Sequence, residues 1–256
     1  MKLFILLSLL MLFSCAKENV FPQVKSAGEQ VASKSALWWD ASAQKKDPNF
    51  LNGIRDLSNN DRNCFSNTYP LLDAMSETGV AILRGERRHI LSCPSIDLSF
   101  MEGYRDYTII LAFNPTAGAN LLQVFKAGSP VLNLLWLQPD QVQVMSGSGV
   151  HWMLQAAPAM LPENEIAIMR FEYRHLEIDF RDRQRIWLNG AELSLGAISN
   201  PAEGVILEDL SNVKIQSQTA AEMASLLFFD KRLSDKEVSD VECELAKKYK
   251  VSALDC

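Results

Sequence analysis

The sequence predicts an all-β fold, a sandwich or barrel, finished by a single C-terminal α-helix. Three observations carry this reading. Apolar or alternating runs of five to eight residues recur along the chain, divided by turn dipeptides such as Asn114-Pro115 and Asn189-Gly190, the pattern of an antiparallel strand array. Gln141-Val142-Gln143-Val144 alternates with period two, so it turns one face to a core and one to solvent. Helical spacing occurs only near the end, where Val238, Val241, Leu245 and Tyr249 follow Ser234-Asp235-Lys236-Glu237, a capping-box signature.

The first element is Ala36-Leu37-Trp38-Trp39-Asp40-Ala41-Ser42, a short buried strand that turns at Asp40. A turn-rich stretch runs from Asp47 to Phe65, and an apolar strand follows at Thr78–Arg84. Asp106–Phe113 is the clearest buried strand. Leu121–Lys126, Val131–Leu137, Gln141–Met145 and Ile166–Tyr173 come next, then His175–Arg181, another alternating segment. Arg185–Leu188 leads into Asn189-Gly190, a pair suited to the two positive-φ positions of a type I′ hairpin turn. Ser225–Asp230 predicts one last buried strand before the helix. Trp38, Trp39, Trp136 and Trp187 lie within apolar runs and are expected in the core.

A chain of 256 residues with 48% apolar composition can bury a sizeable core, and residues 36–256 are expected to form one domain. The net charge of −6 and the lack of a basic stripe argue against a nucleic-acid partner.

Upstream of this domain the composition changes. Leu3–Phe13 is apolar but for Ser8; it is too short to cross a bilayer, which takes roughly 20 residues, and has the length of a signal-peptide core. The run ends in Leu12-Phe13-Ser14-Cys15, which resembles a bacterial lipoprotein lipobox, with Phe13 bulkier than the usual small residue. The resemblance implies that residues 1–14 are a signal peptide and that Cys15 becomes acylated. The chain would then be held at the cell envelope through the lipid alone. Ala16 follows where inner-membrane retention would call for Asp, so the outer membrane is expected where the host has one. Residues 15–35, rich in Lys, Glu, Gln, Ser and Ala, are expected to be a flexible tether.

Four cysteines remain: Cys64, Cys93, Cys243 and Cys256. An even number in an exported chain suggests two disulfides, with three pairings possible. Cys64–Cys93 and Cys243–Cys256 are the pairs expected. No cysteine pair has the C-x₂₋₄-C spacing of a zinc site.

Taken in order, several segments resemble the concanavalin A-like lectin/glucanase superfamily, in particular its bacterial laminin-G-like domains. They are Leu37–Ser42, Asp56-Leu57-Ser58-Asn59-Asn60, Gly79–Leu83, Tyr107–Phe113, Trp187-Leu188-Asn189-Gly190, Leu226–Ser234 and the helix from Glu237 to Tyr249. The resemblance implies a two-sheet antiparallel β-sandwich of jelly-roll type. The segment between Ile166 and Asn189 is longer than the family's usual strand pair, and Asn59 stands where the family often has Gly. The fold hosts lectins, adhesion modules, glycosidases and spacers alike, so function must be argued from residues.

Three constellations bear on function. Asp56, Asn59 and Asp61, with Ser58 and Asn60 between them, could supply oxygen ligands to calcium, although the same residue types build ordinary turns. His151-Trp152 beside Gly147-Ser148-Gly149, and Tyr104 beside Gly103, could present rings to a sugar. Glu177 and Asp179 stand two apart, as in the Glu-x-Asp-x(x)-Glu strand motif of retaining glucanases, but Asp182 replaces the last Glu. The expected function is therefore a non-catalytic binding or adhesion module for carbohydrate or a cell-surface protein. A structural envelope lipoprotein is the alternative, and a glycoside hydrolase the third reading.

Overall fold

The computed structural model describes residues 25–44, 53–65, 74–75, 81–84, 90–103, 105–114, 119–127, 129–137, 141–146, 150–155, 165–177, 183–199, 210–211, 213–218, 222–254 and 256. Seventeen strands, numbered in chain order, form two large antiparallel sheets and one small ribbon among these residues.

The first sheet runs β14 (Ala191–Glu192), β13 (Gln184–Leu188), β12 (Ala167–Tyr173), β7 (Tyr107–Asn114), β17 (Glu222–Phe229), β5 (Ala81–Arg84), β4 (Ala74–Met75), and β1 (Leu37–Asp40) also pairs with β17. The second runs β15 (Ser194–Ser199), β11 (Val150–Gln155), β10 (Gln141–Ser146), β9 (Ser129–Leu137), β8 (Ala119–Lys126), β16 (Val213–Gln218), β6 (Ile90–Ile96). A ribbon of β2 (Gly53–Ile54) and β3 (Cys64–Phe65) stands beside β6.

The two sheets close on one core, as the sandwich reading expects. Trp39, Ile109, Leu111, Phe113, Met169, Phe171, Leu226 and Phe228 come from the first sheet. Leu122, Val124, Leu132, Leu134, Val142 and Ile215 meet them from the second. The central strands β7 and β12 are buried at every position because the outer side of their sheet is covered too. A second cluster joins Ile110, Ala112, Ile168, Leu227 and Phe229 to Val238, Val241, Leu245, Ala246 and Tyr249 of the closing helix. The molecule thus has three layers: helix, first sheet, second sheet.

The helical layer contains an element that the tether reading lacks. Residues 27–32 form a helix, α1 (Ala27–Ala32), whose N-cap Ser26 makes a full capping box with Glu29. A helical turn, α2 (Ala41–Gln44), follows β1, and the closing helix is α3 (Asp235–Tyr249). Six residues are too few to be helical in isolation. The helix persists because Gly28 and Ala32 are buried and α1 packs along α3. The folded body therefore begins by Ser26, ten residues before the expected boundary at Ala36; the residues nearer Cys15 lie outside the described set.

The start of the segment His175–Arg181 also departs from expectation, and residues 178–181 lie outside the described set. Arg174 N donates to the Arg183 carbonyl at 2.8 Å, and His175–Glu177 form a turn after β12 rather than a strand. His175 donates its backbone N–H to Asp106 Oδ1 at 2.9 Å and brings its ring Nδ1 within 2.7 Å of the same atom. Leu176, which alternation would bury, is 81% exposed. Elsewhere Asn189 (φ 48°) and Gly190 (φ 79°) make the expected hairpin turn, and Asn189 Oδ1 accepts from Ile168 N at 2.8 Å. Cys243 and Cys256 form the expected disulfide. Cys64 and Cys93 lie on neighbouring strands β3 and β6, and their side chains are outside the described set. No helix among the described residues is long and apolar enough to cross a membrane.

Candidate functional site

Residues facing each other across antiparallel strands share a face, and alternate residues along a strand return to it. In the second sheet Leu122 pairs with Leu134, Leu134 with Val144, Val144 with Trp152, and Trp152 with Ile198. Leu122 and Leu134 belong to the core, so this row occupies the inner face. The register therefore separates His151 from Trp152. Trp152 stands at the register position of the Leu122–Leu134 row, because a one-residue step along a strand changes face. His151 stands in the outer one. Tyr104 lies outside the described residues.

The outer row crosses all seven strands. Ser199 pairs with His151, His151 with Met145, Met145 with Asn133, Asn133 with Gln123, Gln123 with Gln216 and Gln216 with Ser92. Beside it runs Met153, Gln143, Leu135, Asn120, Gln218 and Ile90 in successive strands. A third row joins Ser194, Gln155, Gln141 and Leu137. No Asp, Glu, Lys or Arg occurs in these three rows, and their polar groups are mostly amides. A primary amide offers two N–H donors and a carbonyl acceptor without charge. Gln123 and Asn133 are buried at 8% and 5% exposure, and Gln123 Oε1 has no hydrogen-bond partner among the described residues. A buried polar atom without a partner costs about 1–3 kcal/mol.

Of this surface, the sequence-based candidates include His151 alone. The surface's signal is the alternation of Gln141 with Gln143 and of Gln216 with Gln218; only the register shows that these strands combine with Asn133 and Gln123 on one side.

The loop expected to hold calcium has a different architecture. Asp56 is buried, and its Oδ1 accepts from Trp38 N and Ser58 N, both at 2.9 Å; Oδ2 accepts from Ser58 Oγ at 2.7 Å and Arg62 N at 2.8 Å. Its carboxylate thus clasps the loop to strand β1. Asn60 Nδ2 donates to the Ser35 and Ala36 carbonyls, and Asp61 Oδ1 accepts from Asn63 Nδ2 at 2.6 Å. Asn59 is exposed. The polar side chains serve local backbone bonds, as such residues do in turns. Among the described residues no group of three His, Cys, Asp or Glu is placed to hold a metal ion.

Among the described residues a dense charged cluster lies on the opposite side, under α3. Arg170 Nη1 donates to Glu242 Oε1 at 3.0 Å, and Arg174 donates to Glu172 Oε2 from Nη2 at 2.7 Å and from Nε at 3.1 Å. The Arg170 guanidinium lies 4.0 Å from the Trp187 ring centroid, a cation–π contact. Burial raises the Glu242 carboxyl above its usual range; Arg170 opposes the shift and Glu172 adds to it. Both carboxylates are paired with arginines and closed off from solvent, the arrangement of a structural network. Of the carboxylates weighed for glycoside hydrolysis, Glu177 sits in the β12–β13 connection, and Asp179 and Asp182 lie outside the described residues.

No family model and no curated protein matches the sequence. Solved structures do. A sialidase from Trypanosoma rangeli in complex with sialic acid aligns with a TM-score of 0.54 at 11% identity, over 88% of this chain and 34% of that one. The binding domain of botulinum neurotoxin serotype D/C aligns with a TM-score of 0.51 at 10% identity, over 84% of this chain and 53% of that one. The chain thus spans about a third of the sialidase and half of the toxin domain, and what it shares with them is an all-β fold.

Proposed function

We propose that this chain is an exported, lipid-anchored, non-catalytic module that recognises carbohydrate on the outer face of its second sheet. The observation that carries the reading is the outer row from Ser199 to Ser92 with its flanking amides, uncharged in itself and bordered by Lys214 beside Gln216. Sugar hydroxyls donate and accept at once, and a field of neutral amides answers both without the desolvation cost of a charge. The anchor rests on the apolar Leu3–Phe13 run and on Leu12-Phe13-Ser14-Cys15, which together point to the cell envelope, at the outer membrane where there is one. The sialidase held with sialic acid adds that a similar fold occurs within a sugar-processing protein; at 11% identity it names no ligand for this one.

The test is a glycan array with the unlipidated chain from Ala16 to Cys256, read in calcium and in chelator. Specific binding is expected, equal in both conditions because the oxygens of Asp56 are engaged by the protein itself. Loss in chelator would return calcium to the Asp56, Asn59 and Asp61 loop. Gln143→Glu and Gln216→Glu, which introduce charges into the rows, should abolish binding with the melting temperature unchanged. A blank array would overturn carbohydrate recognition and direct the search to a cell-surface protein.

A further inference from the structure

Gly28 seats α1 directly on the backbone of the closing helix. A Cβ at this position would stand 2.3 Å from the Asp240 carbonyl oxygen and 2.4 Å from Glu244 Cβ, so no larger residue permits the approach. Ala32 is buried within the cluster that α3 shares with the first sheet, and Val31 packs against it. The described chain therefore begins in the helical layer, whereas the amide rows lie on the outer side of the second sheet.

The intervening chain is short. The ten residues between Cys15 and Ser26 reach at most about 35 Å when fully extended. The two sheets stack about 10 Å apart, and seven strands at about 4.8 Å make a sheet roughly 30 Å wide. The helix axes add another 8–10 Å or so. A path from α1 around a sheet edge to the amide side would use nearly the whole length, leaving nothing to reach past that face into a bilayer. The helical layer has no such difficulty. The exposed residues of α3 include Asp235, Lys236, Ser239 and Lys247, a mixed hydrophilic surface suited to rest beside lipid headgroups without entering the bilayer.

Building on the lipid anchor proposed above, we infer that the helical layer is the membrane-proximal face and that the amide rows are held outward, on the side remote from the lipid. The lipidated full-length protein, reconstituted in vesicles of phosphatidylethanolamine and phosphatidylglycerol, would carry a fluorophore at Ser239 or at Gln143. With a quencher fixed at headgroup level, quenching at Ser239 should exceed that at Gln143 several-fold. Gly28→Val, which drives α1 off α3, should reduce the difference while circular dichroism keeps its β-sheet signature. Equal quenching at the two sites, or stronger quenching at Gln143, would overturn the orientation. Flotation of the wild type and of Cys15→Ala separates the two claims. A wild type that fails to float sinks the anchor and the orientation together; a wild type that floats with the pattern reversed sinks the orientation alone.

Discussion

Lys248 Nζ lies 2.7 Å from Oδ2 of Asp40, a carboxylate with no solvent exposure. The contact ties the last residue of β1 to the last turn of α3, across nearly the whole chain. Asp40 Oδ1 accepts from Ser42 N at 3.0 Å and from Ser42 Oγ at 2.7 Å. Beside it, the buried Tyr249 hydroxyl donates to the Ala224 carbonyl at 2.9 Å. Burial first, and the Asp40 charge next, hold that phenol well above its ordinary pKa. Removing the lysine takes a close cation from a buried carboxylate, and breaking a pair of this kind costs about 3 kcal/mol or somewhat more. Lys248→Met is expected to lower unfolding stability by about that amount in urea titrations. Adding Asp40→Asn should recover much of the loss, because the buried charge that Lys248 faces is then gone. A single variant as stable as the wild type would show that the other contacts of this carboxylate suffice without the lysine.

Acid should act on the start of the same helix through Glu237. Its Oε1 accepts from Lys231 Nζ at 2.6 Å, and its Oε2 accepts from Ser234 N at 2.9 Å. The Lys231 bond foremost, with the Ser234 backbone bond, lowers its pKa from 4.5 to about 2. A carboxyl depressed in the folded state contributes stability that is complete above its unfolded value and is lost as pH falls towards the folded one. The capping contribution should therefore fade between about pH 5 and pH 2. Glu237→Gln is expected to be less stable than the wild type at pH 7, by about 1 kcal/mol as for other helix caps, and the gap should close towards pH 2. Melting temperatures of the two proteins across that range decide it. A gap independent of pH would assign the effect to packing rather than to the charge.

The buried strands are legible in the sequence because their signal is local: Tyr107–Phe113 and Ser225–Phe229 are continuous apolar runs, and Asn189-Gly190 carries its own backbone preference. The closing helix is legible for the same reason, since cap and apolar stripe both lie within sixteen residues. What escapes is set by distant partners. Ala27–Ala32 is helical only because α3 lies beneath Gly28. His175–Glu177 alternates like a strand, yet Asp106 and Arg183 hold it as a connection. The amide rows draw each polar residue from a different strand, so they become visible only once the register is known. Asp56 reads in the sequence as a metal ligand, whereas its bonds from Trp38, Ser58 and Arg62 come from positions that only the fold brings to its two oxygens.

The end of the chain offers a further test. Cys243 on α3 is bonded to Cys256, thirteen residues on. Between them Lys250 caps the helix in the left-handed conformation (φ 56°), and Val251 and Leu254 return to the apolar cluster beneath. Leu254 Cδ2 would come within 3.0 Å of a Cβ at Gly190, so this segment also packs on the β13–β14 turn. Closing a loop of this size restricts the unfolded chain by about 3 kcal/mol on the chain-entropy model. For a domain of this size each 1 kcal/mol shifts the melting temperature by roughly 2–4 °C. The double variant Cys243→Ser/Cys256→Ser, which leaves no odd thiol, should therefore melt about 6–12 °C lower than the wild type. Amide exchange should accelerate first at Val251 and Leu254 and at the Asn189-Gly190 turn. An unchanged melting temperature would mean that the apolar contacts of Val251 and Leu254 hold the C-terminus by themselves, and that the disulfide adds no stability to the fold.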